Sequence, residues 1–118
     1  MSNVLEEPFV KEARKKLDKI DSLFYLMKDS AGTGHNGKRG YPDIIICYKG
    51  RFVGWEMKKS RAEAQETTGR IVMQKHIGSR ITEAGGRFWL VYPENFDQVL
   101  YELMAIEDNR FDFYGTKP

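Results

Sequence analysis

The stretch YPDIIICYKGRFVGWEMK, residues 41–58, decides the fold because it holds two apolar runs only two residues apart. Both runs are rich in β-branched and aromatic residues, which favour strands. Lys49-Gly50 suits a two-residue hairpin turn, since glycine adopts a positive φ without strain. The segment therefore predicts a β-hairpin. Because both runs are apolar on both faces, we expect central strands covered on either side, with Cys47 in the core.

The hairpin predicts which polar side chains face each other. With a two-residue turn, opposed residue numbers sum to 99, and Asp43 and Glu56 satisfy that sum. Directly opposed residues have Cβ atoms about 4.5–5.5 Å apart. Lys58 lies two residues beyond Glu56 and so points to the same face, unless a bulge near Gly54 shifts the register.

Two facing carboxylates repel each other, so something must compensate their charge. One interpretation is structural: Lys58 neutralises one carboxylate in a salt bridge. The other is a divalent cation, since Mg²⁺ favours one or two carboxylates together with waters and phosphate oxygens. The charge pattern alone leaves both interpretations open.

The spacing of apolar residues and the positions of glycines predict the remaining elements. Apolar residues at helical spacing predict helices over residues 7–20, 71–84 and 95–106. Apolar runs predict further strands over residues 23–27 and 87–92, and four glycines among residues 29–40 indicate a loop. The predicted order is α-β-β-β-α-β-α. We therefore expect a single α/β domain over residues 1–118, with a mixed central sheet flanked by helices.

The charge is concentrated in one part of the chain. The net charge is only +2, but residues 28–61 carry eight bases against three acids. Such a segment attracts a polyanion. No apolar run is long enough for a bilayer, the N-terminus lacks the order of a secretory signal, and the one cysteine has no internal disulfide partner. We expect a cytoplasmic protein with no membrane contact and no organic cofactor.

The motif around the hairpin resembles a known nuclease signature. Gly40-Tyr41-Pro42-Asp43, followed after twelve residues by Glu56-Met57-Lys58, resembles the G-x-PD…ExK pattern of the PD-(D/E)xK nuclease superfamily. Three further residues narrow the resemblance to the virus-type replication-repair nuclease (VRR-NUC) family: Lys28, Arg39 and Gln74. The resemblance covers residues 6–92 and implies a restriction-endonuclease-like core.

The resemblance implies roles for individual residues. Asp43 and Glu56 would bind Mg²⁺, for which Mn²⁺ could substitute, together with the main-chain carbonyl of Met57. Lys58 would be the catalytic lysine, and Gln74 would lie beside the metal centre. A glutamate of the first helix usually completes such a site, here Glu6 by its spacing, with Glu7 as the second choice. Acidic residues also favour helix N-termini through the helix dipole, which is the structural alternative for both.

The resemblance also implies a substrate and partners. It predicts hydrolysis of DNA in replication, repair or recombination, with branched DNA such as four-way (Holliday) junctions as substrate. Members of the superfamily that resolve junctions commonly act as homodimers, so a homodimer is expected, and the compact one-domain form would fit a phage or mobile-element protein. Basic residues around the site are expected to contact the phosphate backbone: Lys28, Lys38, Arg39, Lys59 and Arg61. His35, in the same loop, is a weaker candidate for acid–base chemistry.

Three alternatives stay open at the level of sequence. The first is a nuclease for flaps or single-stranded ends. The second is a DNA-binding protein of the same fold without catalysis, against which the intact Asp43, Glu56 and Lys58 set speaks. The third is an enzyme that acts on RNA, which the residues do not distinguish from one that acts on DNA.

Overall fold

The computed structural model describes residues 8–28, 41–66 and 69–117. Within these ranges, four strands and four α-helices follow one another, with a 3₁₀ helix at Pro93–Asn95 before the last α-helix. In chain order they are α1 Pro8–Asp18, β1 Leu23–Met27, β2 Ile44–Tyr48, β3 Arg51–Met57, α2 Arg61–Ala64, α3 Gly69–Glu83, β4 Arg87–Val91 and α4 Phe96–Met104. The predicted order of strands and long helices is confirmed, and α2 is an addition to it.

The four strands form one mixed sheet in the order β1-β2-β3-β4. The first three strands are antiparallel neighbours, whereas β4 runs parallel to β3. In the hairpin, Tyr48 pairs with Arg51 and Ile44 with Trp55, so opposed residue numbers sum to 99 as predicted. No bulge interrupts this ladder, and the deduced register is confirmed.

The hairpin turn is held from outside as well as by its own backbone. Lys49 and Gly50 both have positive φ, 53° and 79°, as a type I′ turn requires. The N–H of Asn109 donates to the carbonyl of Lys49 at 2.7 Å, and the Lys49 ammonium donates to the carbonyl of Met104 at 3.0 Å. The segment after α4 therefore packs directly on the turn.

The hydrophobic core lies between one face of the sheet and the helices α1 and α4. From the sheet it takes alternate residues of β2 and β3 and Val91 of β4, and from the helices the apolar stripes spaced three and four apart. Phe96 joins the layers through edge-to-face ring contacts with Phe9 and Trp55. The two helices thus cover this face over β2 and β3.

The other face of the sheet is covered unevenly, which corrects two expectations. Helix α3 packs over β3 and β4, but Phe24, Leu26 and Phe52 remain 63%, 55% and 45% exposed. Cys47 is exposed and not in the core, because strand alternation points it away from the buried Ile46. An apolar run on both faces of a strand does not require cover on both faces. Among the described residues, this layer has one long helix, α3, which lies over β3 and β4 and leaves β1 and β2 uncovered.

Other differences concern element boundaries. α1 ends at Asp18, two residues before the predicted end, α3 already includes Gly69, and α4 is shorter at both ends than the predicted helix over 95–106. Residues 61–64 form the short helix α2, which Ser60 caps by accepting from the N–H of Glu63 at 3.2 Å. Among the described residues, no helix has the length and apolarity needed to cross a membrane.

The contact between Gly50 and the segment after α4 gives a first prediction. A Cβ at Gly50 would overlap the carbonyl group of Asn109 and would also require a strained positive φ. We expect Gly50→Ala to lower the free energy of unfolding by about 1–3 kcal/mol in urea denaturation. Gly69→Ala is the matched control, since a Cβ there meets nothing within 4 Å and alanine favours a helix. Equal stability of the two variants would show that the turn does not need glycine.

Candidate active site

Charged side chains gather where the hairpin opens, at the end opposite its turn. Asp43 lies just before β2 and Glu56 lies near the end of β3, one step beyond the Ile44–Trp55 pair. Asp43, Glu56 and Lys58 are 6%, 1% and 6% exposed. Groups of this kind are seldom buried without compensation, so this cluster is the least ordinary part of the described structure.

Asp43 is fixed by backbone and side-chain contacts. Its Oδ2 accepts from the N–H of Met57 at 2.9 Å, and its carbonyl accepts from the N–H of Lys28 at 2.7 Å. Its Oδ1 lies 3.7 Å from the Nζ of Lys28. The aspartate thus joins β1, β2 and β3 at one point, and its carboxylate has little freedom to turn.

Glu56 is held on one oxygen only. Its Oε2 accepts from the side-chain amide of Gln74 at 2.7 Å and lies 3.7 Å from the Nζ of Lys58. Its Oε1 is buried and has no hydrogen-bond partner, and the same is true of the Oε1 of Gln74. Two unpartnered buried oxygens on adjoining side chains are costly, unless something else binds them.

Helix α3 brings Gln74 to the sheet through close contacts at two glycines. Gly78 lies against the ring of Phe88, and Gly54 faces the side chains of Pro42 and Ile81. With no Cβ at either position, the helix approaches the strands closely. Gln74 is therefore 2% exposed and reaches Glu56, which belongs to a different element.

The surroundings of Glu56 shift its pKa strongly. Burial, and next the negative charge of Asp43, raise the pKa of Glu56 from its ordinary value of 4.5 to about 8. Lys58 and Lys28 act in the opposite direction, and the ability of protonated Glu56 to donate to Asp43 adds to the rise. The two lysines therefore compensate the carboxylates only in part, and the site favours one further positive charge.

A divalent cation fits the groups that are present. Carboxylate and amide oxygens are ligands that Mg²⁺ accepts, and both the carboxylate pair and the unpartnered Oε1 of Glu56 are available. Within the described ranges no group of three His, Cys, Asp or Glu side chains could hold a metal. The fit therefore rests on the pair Asp43 and Glu56, with the carbonyl of Met57 as the further ligand that the resemblance implies.

The structure brings together the four residues predicted for catalysis: Asp43, Glu56, Lys58 and Gln74. Lys59 and Arg61 are exposed on the chain just after Lys58. Six residues singled out from the sequence lie outside the described residues: Glu6, Glu7, His35, Lys38, Arg39 and Gly40.

The ion pair of Lys28 with Asp43 was not predicted. Lys28 is predicted as a DNA contact, but its Nζ lies near the Oδ1 of Asp43 while 44% of the side chain stays exposed. The contact follows from the register of β1 on β2, in which Met27 pairs with Ile44. These two strands are far apart in the sequence, so no two-residue turn predicts their register.

Comparison with protein-family models found no match, and comparisons with curated proteins and with solved structures found none either. The assignment of a function therefore depends on the residues and their geometry.

The raised pKa of Glu56 gives a second prediction. Between pH 4.5 and about 8 the folded protein holds a proton on Glu56 that the unfolded chain has lost. Without metal, stability therefore falls as pH rises through this range. Glu56→Gln has no proton to lose at this position, so its stability does not fall in this way. In EDTA we therefore expect the melting temperature of wild type to fall relative to that of Glu56→Gln as pH rises towards about 8. Glu94→Gln, on the exposed 3₁₀ helix, is the control; a constant gap between Glu56→Gln and wild type would contradict the prediction.

A third prediction concerns metal binding itself. If the pair holds a divalent cation, adding Mg²⁺ or Mn²⁺ stabilises the folded state according to its affinity. We expect either ion to raise the melting temperature of wild type and to leave that of Asp43→Asn almost unchanged. Asp97→Asn, at an exposed aspartate in the first turn of α4, should respond like wild type. If all three proteins respond alike, the carboxylate pair is not the binding site.

Proposed function

We propose that this protein is a metal-dependent nuclease that hydrolyses phosphodiester bonds of DNA. The observation that carries the proposal is the buried pair Asp43 and Glu56 with the equally buried Lys58 beside it. Lys28 and Lys58 each lie beside one carboxylate, but they compensate the pair only in part, since the pKa of Glu56 stays raised to about 8. One carboxylate oxygen is also buried without a partner, which suits a site that binds a cation.

Asp43, Glu56 and the carbonyl of Met57 are the proposed ligands of Mg²⁺, for which Mn²⁺ would substitute. When bound, the cation would supply a positive charge that stabilises the charge building on a phosphate and that acidifies a water. Gln74 has a positioning role, because its amide fixes the Glu56 carboxylate at 2.7 Å. The N–H of Met57 does the same for Asp43.

Lys58 is the proposed catalytic lysine. Its ammonium lies 3.7 Å from the Oε2 of Glu56, and its backbone is fixed because the N–H of Lys58 donates to the carbonyl of Val91. A buried ammonium in this position can hydrogen-bond the attacking water or the phosphate oxygens that gain negative charge. In the reaction the water oxygen forms a bond to phosphorus, one P–O ester bond breaks, and the leaving oxygen takes up a proton.

Exposed cations near this site suit a polyanionic substrate. The Lys28 ammonium is half exposed beside Asp43, and Lys59 and Arg61 are exposed beyond Lys58. Contacts of this kind with phosphates position nucleic acid without reading its sequence. Lys38 and Arg39 belong to the same proposal by their place in the sequence, next to the G-x-PD motif.

The finer assignments rest on the resemblance to the VRR-NUC family. They comprise the restriction-endonuclease-like identity of the core, a branched DNA substrate such as a four-way junction, a homodimer, and a cytoplasmic role in replication, repair or recombination. The mixed four-stranded sheet flanked by helices is compatible with such a core. The hairpin also supports it, because it brings the PD and ExK segments together at one end of the sheet.

The decisive experiment is a cleavage assay on end-labelled DNA. Four-way junction, flap, single-stranded and plain duplex substrates, with RNA of matched sequence, are incubated with Mg²⁺, Mn²⁺ or EDTA. We expect metal-dependent cleavage, and we expect Lys58→Ala to slow it by at least about a hundredfold while folding and DNA affinity are retained. Lys11→Ala is the control, since Lys11 is exposed on α1, which packs on the sheet face opposite the site.

Each outcome separates the alternatives. Cleavage of the junction by wild type alone supports the proposed substrate, whereas preference for flaps or single strands keeps the enzyme class and changes the substrate. DNA binding without cleavage under every metal would identify a binding protein of this fold. Wild-type rates from folded Lys58→Ala protein would refute the assigned mechanism.

A further inference from the structure

Each carboxylate of the buried pair has one oxygen that an N–H holds and one that is left for a cation. The Oδ2 of Asp43 accepts from the N–H of Met57 at 2.9 Å, which leaves Oδ1. The Oε2 of Glu56 accepts from the side-chain amide of Gln74 at 2.7 Å, which leaves the buried Oε1. A divalent cation shared by the pair would therefore take Oδ1 and Oε1 as its carboxylate ligands.

The two lysines beside the pair lie at different kinds of oxygen. The Nζ of Lys58 lies 3.7 Å from the Oε2 of Glu56, the oxygen that Gln74 already holds. The Nζ of Lys28 lies 3.7 Å from the Oδ1 of Asp43, which is the oxygen left for a cation. Two positive charges at one carboxylate oxygen repel each other. Lys28 therefore competes with a metal ion for Asp43, whereas Lys58 does not lie at a ligand oxygen.

Lys28 is also the lysine whose side chain is free to leave. It is 44% exposed, whereas the side chain of Lys58 is 5% exposed. At 3.7 Å its ammonium is too far from Oδ1 for a hydrogen bond, so only the attraction between the charges holds it there. Its backbone is fixed, because its N–H donates to the carbonyl of Asp43 at 2.7 Å. The ammonium can therefore turn towards solvent and still stay within one side-chain length of the pair.

We propose that Lys28 is a displaceable counter-ion of the metal site. Without metal its ammonium compensates the charge of Asp43. When a divalent cation binds, the ammonium leaves Oδ1 and pairs with a phosphate of the nucleic acid. This inference rests on the proposed function, since it takes the pair to be a metal site, and it goes further because it makes one residue link the binding of metal to the binding of substrate.

Metal and nucleic acid then strengthen each other's binding. Without metal, a phosphate that pairs with Lys28 takes its ammonium away from Asp43 and leaves a buried carboxylate uncompensated. With metal bound, Asp43 is compensated and Lys28 is available to the phosphate. Each ligand therefore raises the affinity for the other by the same factor. The part of this coupling that Lys28 carries disappears when its charge is removed.

Calorimetric titration with Mg²⁺ or Mn²⁺ tests the competition without a measurement of activity. We expect Lys28→Gln to bind either ion about three- to tenfold more tightly than wild type, because the competing charge is gone. Lys28→Arg keeps the charge and should bind no more tightly than wild type. Lys59→Gln is the control, since Lys59 is exposed just beyond Lys58 and its loss should change metal affinity little. A salt bridge that only orders Asp43 predicts the opposite result, weaker metal binding by Lys28→Gln.

Fluorescence anisotropy tests the coupling, with labelled four-way junction and single-stranded DNA as the probes. It is measured with Mg²⁺ and with EDTA in the Lys58→Ala background, in which cleavage is slow. We expect Mg²⁺ to tighten DNA binding by the Lys58→Ala protein at least about fivefold more than it tightens binding by Lys58→Ala/Lys28→Gln. Lys59→Gln in the same background should lose the same factor with Mg²⁺ and with EDTA, as a simple phosphate contact does.

The outcomes separate this inference from the proposed function. Metal binding that Asp43→Asn abolishes, but that Lys28→Gln leaves unchanged or weakens, would overturn the inference and leave the metal site in place. So would a loss of DNA affinity in Lys28→Gln that is the same with Mg²⁺ and with EDTA. Absence of metal binding or of DNA binding by wild type would overturn the proposed function, and the inference with it.

Discussion

The register of the β2–β3 hairpin is the constraint on which the rest of the described structure depends. Lys49 and Gly50 form a turn of two residues, and a turn of that length allows only one alignment of the strands. That alignment sends Ile46 and Trp55 into the core and Asp43 and Glu56 to the other face. A slip of one residue on either strand would bury the wrong face of that strand, so packing and site geometry are specified together.

The elements around the site partly compensate the unfavourable burial of its two carboxylates. Buried carboxylates are unfavourable, and this pair is tolerated because neighbouring strands and a helix supply Lys28, Lys58, Gln74 and the N–H of Met57. The compensation is incomplete, since Glu56 keeps a raised pKa. Perturbed groups of this kind occur at functional sites, where a bound cation or substrate completes the missing contacts.

The sequence was informative where short-range rules apply. The two-residue turn fixed the hairpin register, and the helical spacing of apolar residues located α1, α3 and α4. It was less informative where distant segments meet. Lys28 and Asp43 are far apart in the sequence, and the exposure of Cys47 depends on which half of the sheet α3 covers. Gln74 was found through the resemblance, and no periodicity argument would have paired it with Glu56.

The packing of residues 105–109 on the hairpin turn has a consequence for biosynthesis. The turn contacts the carbonyl of Met104 and the N–H of Asn109, which leave the ribosome long after the hairpin itself. Helix α4, which supplies Phe96 and Leu103 to the core, is also synthesised late. Chain elongation therefore delays the closing of the core until α4 has emerged, so the hairpin that carries Asp43 and Glu56 is made well before the helix that covers its apolar face.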